Sequence, residues 1–195
     1  MTDFASPKAF LALLGLSLAS TEALAADWTP RPAESSIAFV GSQTGAEFKG
    51  GFERFDANIS FDPADLAASS VTATIDMASF TIEGKDRREA LPGADWFSLK
   101  TFPEAQFKTT AIRAAEAGAP TPYIADAELT IRDASQAVSL PFSVEIEGDV
   151  ARMSGELTLD RSAFGVGQGQ WESDQWVAHE VRVSVTIVAD RAASE

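Results

Sequence analysis

The 195-residue chain has no cysteine. Disulfides are therefore excluded, as are thiolate sites for structural zinc or iron–sulfur clusters. Core packing and closed sheet edges have to hold the fold instead. Histidine occurs once, at His179, so no histidine pair exists at any metal- or haem-ligand spacing. Basic residues are scarce. Fifteen Lys and Arg face 29 Asp and Glu, a formal charge of −14. Such a surface repels nucleic-acid phosphate and anionic lipid headgroups. Long apolar runs are also lacking. Ala9 to Ala19 is too short to span a bilayer, and it lies between Lys8 and a small-x-small site at Ala23-Leu24-Ala25. These marks predict a cleavable signal peptide over 1–25 and export of one soluble domain over 26–195.

What is present is alternation. Ile37 and Phe39 share one face of Ser35–Gln43. Phe55, Ala57, Ile59 and Phe61 share one face of the next segment, with Phe52 out of phase and Gly50-Gly51 marking a bulge or bend before it. Val71, Ala73, Ile75 and Met77 follow, then a strand around Phe107 within Ala105–Ile112. Further faces are Ala125, Ala127, Leu129, Ile131 and then Val138, Leu140, Phe142, Val144, Ile146. After Met153–Asp160, the last strand places Val177, His179, Val181, Val183, Val185 and Ile187 together. No helix is long enough for a βαβ crossover, so the class is antiparallel all-β. Roughly eight long strands with polar outer faces favour a barrel over a sandwich.

One segment breaks the pattern. Ser79–Phe107 holds a short charged helix candidate near 84–92, a Leu91-Pro92-Gly93 stop and the pair Trp96-Phe97. In a closed sheet this is the natural gate to the interior. Its charge cluster, Asp86, Arg87 and Arg88, is either a solvated helix face or a headgroup contact at the mouth, since guanidinium suits phosphate and carbonyl oxygens. A Ser-His-Asp triad would have to use His179, which sits in phase with valines and reads as a packed or rim residue. The glycines of Gly165–Gly169 have no Lys and no helix behind them, so they read as a flexible connection, not a phosphate cradle.

Several motifs, in order, resemble the YceI-like family of polyisoprenoid-binding proteins. They are Trp28, Glu34-Ser35-Ser36-Ile37-Ala38-Phe39, Gly51-Phe52-Glu53-Arg54-Phe55 and Phe61-Asp62-Pro63. Ser79, Arg87, Leu91, Asp95-Trp96-Phe97, Phe102-Pro103 and Phe107 continue the likeness. Glu128-Leu129-Thr130-Ile131 and Arg161-Ser162-Ala163-Phe164-Gly165-Val166-Gly167 complete it. Departures include Ile82-Glu83 for a frequent Thr-Gly, Arg88 for an Asp, Ala90 for a His, and no glycine in Arg132–Ser135. The resemblance implies a lipocalin-like, periplasmic, non-catalytic barrel that holds an isoprenoid lipid, with no covalent cofactor and no metal. With the face pattern it nominates Phe39, Phe52, Ile75, Met77, Trp96, Phe97, Phe107, Leu129, Phe142, Val144 and Phe164 as cavity lining, and Asp86, Arg87 and Arg88 as headgroup contacts. The Ala90–Phe97 and Trp171–Trp176 segments look like the branch found beside membrane b-type cytochromes. That likeness implies an isoprenoid quinone as ligand and such a cytochrome as a partner; a homodimer is also left open. Other classes stay open: an accessory docking on the cytochrome, a secreted hydrolase using His179, or a filled barrel whose outer face works.

Overall fold

A computed structural model describes residues 25–193. The signal-peptide reading, apart from Ala25, lies outside the described residues. Among the described residues, eleven strands and one α-helix follow in order: β1 (Asp27–Pro30), β2 (Ser36–Gln43), β3 (Ala46–Phe52), β4 (Phe55–Ser60), β5 (Ser70–Asp76), β6 (Phe80–Ile82), α1 (Lys85–Ala90), β7 (Glu104–Ala114), β8 (Tyr123–Ile131), β9 (Ala134–Glu147), β10 (Val150–Asp160) and β11 (Glu180–Arg191).

Eight of them, β1-β4-β5-β7-β8-β9-β10-β11, form an antiparallel ring that β1–β11 pairing closes. Closure removes the exposed edges that a cysteine-free sheet would otherwise present. The remaining three are continuations. β1 and β2 both lie along β11, separated by a 3-10 turn at Pro32–Glu34, where proline cannot donate to the ladder. β3 runs into β4 through Glu53-Arg54, and β5 runs into β6 through a 3-10 turn at Met77–Ser79. The barrel is lipocalin-like, with the short helix α1 in the expected insertion.

Two irregularities change which residues face inward. Phe52 and Phe55 both point into the barrel because the chain breaks pairing between them, after Phe52 and not at Gly50-Gly51 before it. The two glycines serve another purpose. A Cβ on Gly50 would fall 2.3 Å from the Phe39 ring and 2.6 Å from the Thr81 carbonyl, so Phe39 lies flat over that backbone. In β7 a bulge between Thr109 and Ala111 shifts the register. Phe107 before it and Ile112 after it therefore face the same interior despite opposite parity.

Outside, ion pairs bridge neighbouring strands: Arg54–Asp76 at 2.7 Å and Arg113–Asp126 at 2.6 Å, with Arg31 Nε donating to Asp190 at 2.8 Å. Each guanidinium holds its carboxylate below the usual range. These pairs are solvent-exposed and contribute little to stability individually.

Candidate ligand cavity

One end of the barrel is plugged. Trp28, Phe61 and Phe142 are buried there, with Phe61 edge-on to Tyr123 and Phe142 at centroid distances of 5.5 and 6.0 Å. The Trp28 indole N–H donates to the Phe61 carbonyl at 3.0 Å, and Arg191 covers the Trp28 ring at 4.5 Å. Edge-on aromatic packing of this kind makes a rigid floor.

Above that floor lies one cavity of about 790 Å³. This is within the range of ligand-binding sites, roughly 300–1,000 Å³. Its walls are the inward faces of the strands: Val71, Ala73 and Ile75 of β5, Leu140, Phe142 and Val144 of β9, Val181 to Ala189 of β11. All eleven residues nominated as lining border this space: Phe39, Phe52, Ile75, Met77, Trp96, Phe97, Phe107, Leu129, Phe142, Val144 and Phe164. Asp86 and Arg87 also border it, at the opposite end from Trp28. Arg88 does not; its Nη2 reaches the Ile82 carbonyl at 3.4 Å.

Sequence reading missed the other half of the mouth. Phe48, Ile82 and Leu91 are buried as one cluster with Phe39, Phe80, Trp96 and Phe97 around them. Phe48 sits in a glycine-rich strand with no clean alternation, which hid it. Arg87 lies over the Phe48 ring at 4.6 Å and donates to the Glu83 carbonyl at 2.8 Å.

Two arginines tie down the segments that frame this mouth. Arg161 is 5% exposed, and all five of its N–H groups point at carbonyls. Nε donates to Ala178, Nη1 to Val166 and Gly167, and Nη2 to Trp171 and Val177, at 2.7 to 3.2 Å. Burial pushes its pKa down from the ordinary arginine value, with Asp160 and Asp174 opposing. Gly167 has φ +82°, and a Cβ there would fall 2.0 Å from Arg161 Nη1. The stretch read as a flexible connection is thus an ordered strap. Only glycine lets its backbone approach the guanidinium so closely.

Arg132 does similar work from the β8–β9 turn, at φ 58°. Its Nη1 donates to the carbonyls of Ala94, Trp96 and Gly165. The strap and the loop after α1 also meet directly, since Gly167 and Gln168 N–H groups donate to Asp95 O at 2.7 Å. Trp96 packs near Trp171, at a centroid distance of 5.7 Å, and near the Arg161 guanidinium, 5.5 Å from its ring.

His179 departs from the face assigned to it. Val177, Ala178 and Val181 border the cavity and His179 does not. The regular strand starts only at Glu180, because Arg161 takes the Ala178 carbonyl and the Arg161 N–H bonds the His179 carbonyl. The imidazole Nε2 lies 2.7 Å from the Glu172 carbonyl. The nearby Ser162 hydroxyl donates to Asp160 at 2.6 Å and helps hold that carboxylate below its usual range. A nucleophilic triad needs serine, histidine and carboxylate in one hydrogen-bonded line. Here the histidine and the serine are each engaged elsewhere.

Comparison with known proteins agrees with this architecture. A family model described as a YceI-like domain matches residues 28–189. A UPF0312 protein of Pseudomonas putida strain W619 is 30% identical over 171 residues, covering 82% of this chain and 87% of that one. UPF0312 proteins of Vibrio cholerae are 35% identical over 81 residues; there this chain spans under half of the relatives' length, 43%. Among solved structures, Burkholderia cenocepacia BcnA superposes with a TM-score of 0.75 at 36% identity, over 82% of this chain and 98% of that one. A domain from Saccharophagus degradans, described as polyisoprenoid-binding and implicated in plant cell wall breakdown, shares the fold. It has a TM-score of 0.62 at 16% identity, over 86% of this chain and 99% of that one. The chain belongs to the YceI-like family.

Proposed function

We propose that this protein is a non-catalytic carrier that holds one isoprenoid lipid lengthwise in the barrel, and that it works in the periplasm. The observation that carries the reading is the cavity of about 790 Å³, walled by apolar side chains and closed at the Trp28 end. A prenyl chain is long, narrow and apolar, and such a lumen holds it with few directional contacts. The polyisoprenoid-binding description of the Saccharophagus degradans domain, which has the same fold, fits this reading. Native mass spectrometry of protein purified from its own host, followed by organic extraction, tests it. The expected result is a mass increment released by solvent and identified as a prenyl lipid. A straight-chain fatty acid in its place would sink the isoprenoid assignment.

A second reading is an accessory that docks on a membrane b-type cytochrome and presents a quinone. Trp176 favours it: the residue is 52% exposed in the strap beside the mouth. Tryptophan suits such contacts, with an apolar body and a polar edge. Co-purification with the membrane fraction, lost in Trp176→Ala, is the expected outcome of that reading. Equal recovery of both proteins in the soluble fraction would remove it.

A further inference from the structure

We propose that α1 is a lid on the cavity mouth, hung between two fixed points and latched by Arg87 on Phe48, and that its opening sets the rate at which a ligand enters and leaves. The inference rests on the carrier reading above and adds the segment of the rim that moves.

Read from sequence, the whole of 79–107 is the gate. Hydrogen bonding divides it. Most of the rim is stitched from one segment to another. Thr44 N–H donates to the Trp176 carbonyl at 2.8 Å and Ala178 N–H to the Ser42 carbonyl at 2.9 Å, so the strap is bound to the β2–β3 hairpin. The Asp95 carbonyl takes the N–H groups of Gly167 and Gln168, so the loop after α1 is bound to the strap. Arg132 ties both to the β8–β9 turn. These bonds join segments far apart in sequence, and the rim opens there only if they break together.

α1 is held differently. Gly84, Lys85, Asp86, Arg87, Ala90 and Leu91 border the cavity, yet no residue of α1 is buried. Among the described residues, every hydrogen bond and ion pair of 84–90 ends within 82–93. Arg88 N–H donates to Gly84 at 3.2 Å, Leu91 N–H to Arg87 at 3.0 Å and Gly93 N–H to Ala90 at 2.9 Å. The Arg87 and Arg88 side chains reach back to the Glu83 and Ile82 carbonyls, and Lys85 pairs with Glu89 at 3.7 Å. A helix this short has little stability of its own in water. Its position therefore depends on its ends and on what it touches.

The ends are anchored. On one side Glu83 N–H donates to the Lys49 carbonyl at 2.9 Å, and Lys49 N–H to the Glu83 carboxylate at 3.0 Å. On the other, Leu91 is buried with Phe48 and Ile82, and its carbonyl accepts from Phe97 N–H at 2.9 Å. Gly84, at φ 91°, is the pivot beside the first anchor, in a conformation that favours glycine. Between the anchors the half-buried Arg87 reaches out to the β2–β3 hairpin, its guanidinium 4.6 Å from the Phe48 ring centroid. A cation–π contact at a partly exposed site is weak, as a latch that opens on the microsecond-to-millisecond scale of lid motion requires.

The chain has no cysteine, so introduced thiols react alone. Arg87→Cys with Phe48→Cys, bridged by a short cross-linker that reductant cleaves, fixes the lid to the hairpin. Stopped-flow fluorescence with all-trans-retinol, an apolar isoprenoid, should then show uptake and release both slowed at least about tenfold, and both restored on reduction. Thr44→Cys with Trp176→Cys, bridged in the same way, joins segments that are already bonded and should leave both rates at the wild-type value. Unchanged rates in the bridged lid would overturn the proposal and leave the carrier reading standing. So would equal slowing by the two bridges, which would mean that the whole rim moves, or slower release with normal uptake, which would make the pair a ligand contact. The reagent on Arg87→Cys alone adds bulk without a bridge; slowing as large as the bridged pair's would make it a plug and also overturn the lid. Failure of wild-type protein to take up retinol would overturn the lid and the carrier reading together. Hydrogen exchange on the free wild type needs no variant and no ligand. The Arg88 and Leu91 amides should exchange at least about tenfold faster than those of Thr44, Gly167, Gln168 and Ala178, and equal protection would overturn the lid.

Discussion

Arg161→Met is expected to lower stability by about 3–5 kcal/mol, the scale found when a buried charged hydrogen-bonding group is removed and its partners stay behind. Methionine fills similar space but donates nothing. The carbonyls of Val166, Gly167, Trp171, Val177 and Ala178 would then lack their donor inside the fold. For a domain of this size each kcal/mol moves Tm by about 2–4 °C, so scanning calorimetry should show a drop of roughly 6–20 °C. Arg161→Lys is expected to recover part of it. Its ammonium offers three donors without the planar fork, so it cannot meet five acceptors. The loss should also be local before it is global, because these bonds hold one strap and not the barrel wall. Limited proteolysis should cut the variant between 165 and 178 at temperatures where the strands still resist. A Tm within about 2 °C of wild type, with no new cleavage there, would mean water serves those carbonyls as well as the guanidinium does.

That arginine also marks where sequence reading stops. The barrel was legible because each strand alternates with period two, and one face of nearly every strand is apolar. Phe39, Ile75, Phe107, Leu129, Phe142 and Val144 face the cavity for that reason, whereas Phe52, Met77, Trp96, Phe97 and Phe164 reach it from a strand end, turns and a loop. Parity fails where the ladder slips. Nothing in Phe107–Ile112 announces the bulge at Thr109–Ala111 that brings both ends to the same side. Alternation extended three residues beyond the strand's real start at Glu180 puts His179 on the valine face. The partners of Arg161 and Arg132 are carbonyl oxygens, which every residue has, so no side-chain pattern points to them. In sequence, the glycines of the strap signal only backbone freedom. In the fold, Gly167 is there to let a buried guanidinium come close. Arg88 is adjacent to Arg87 in sequence, but adjacency on a short helix does not settle which side chains reach the cavity. One borders the cavity and the other bonds outside it.

Binding of prenyl alcohols is expected to strengthen with each added isoprene unit and then level once the lumen is full, and filling the lumen should move that plateau to shorter chains. One CH₂ removed from water is worth about 0.8 kcal/mol, so a five-carbon unit can contribute up to roughly 3–4 kcal/mol. Association costs about 4–15 kcal/mol before any net affinity appears, so one or two units should bind poorly. Ala73 is the position from which to shorten the space. It faces the cavity midway along β5, between Val71 on the floor side and Ile75 on the mouth side, and pairs with Ala57 and Phe107 on the flanking strands. In a filled core, a larger side chain would strain the packing by about 1–3 kcal/mol. Here a phenyl ring projects into open volume, so Ala73→Phe should keep its Tm while excluding about one isoprene unit. The longest chains should then lose on the order of 100-fold in affinity, and the shortest should lose almost nothing. Ala57→Phe, one strand over, serves as the second variant and should act the same way. A flat length series in the wild type would show that affinity does not come from the lumen. An equal loss at every chain length in both variants would show that they damage the barrel and do not shorten it.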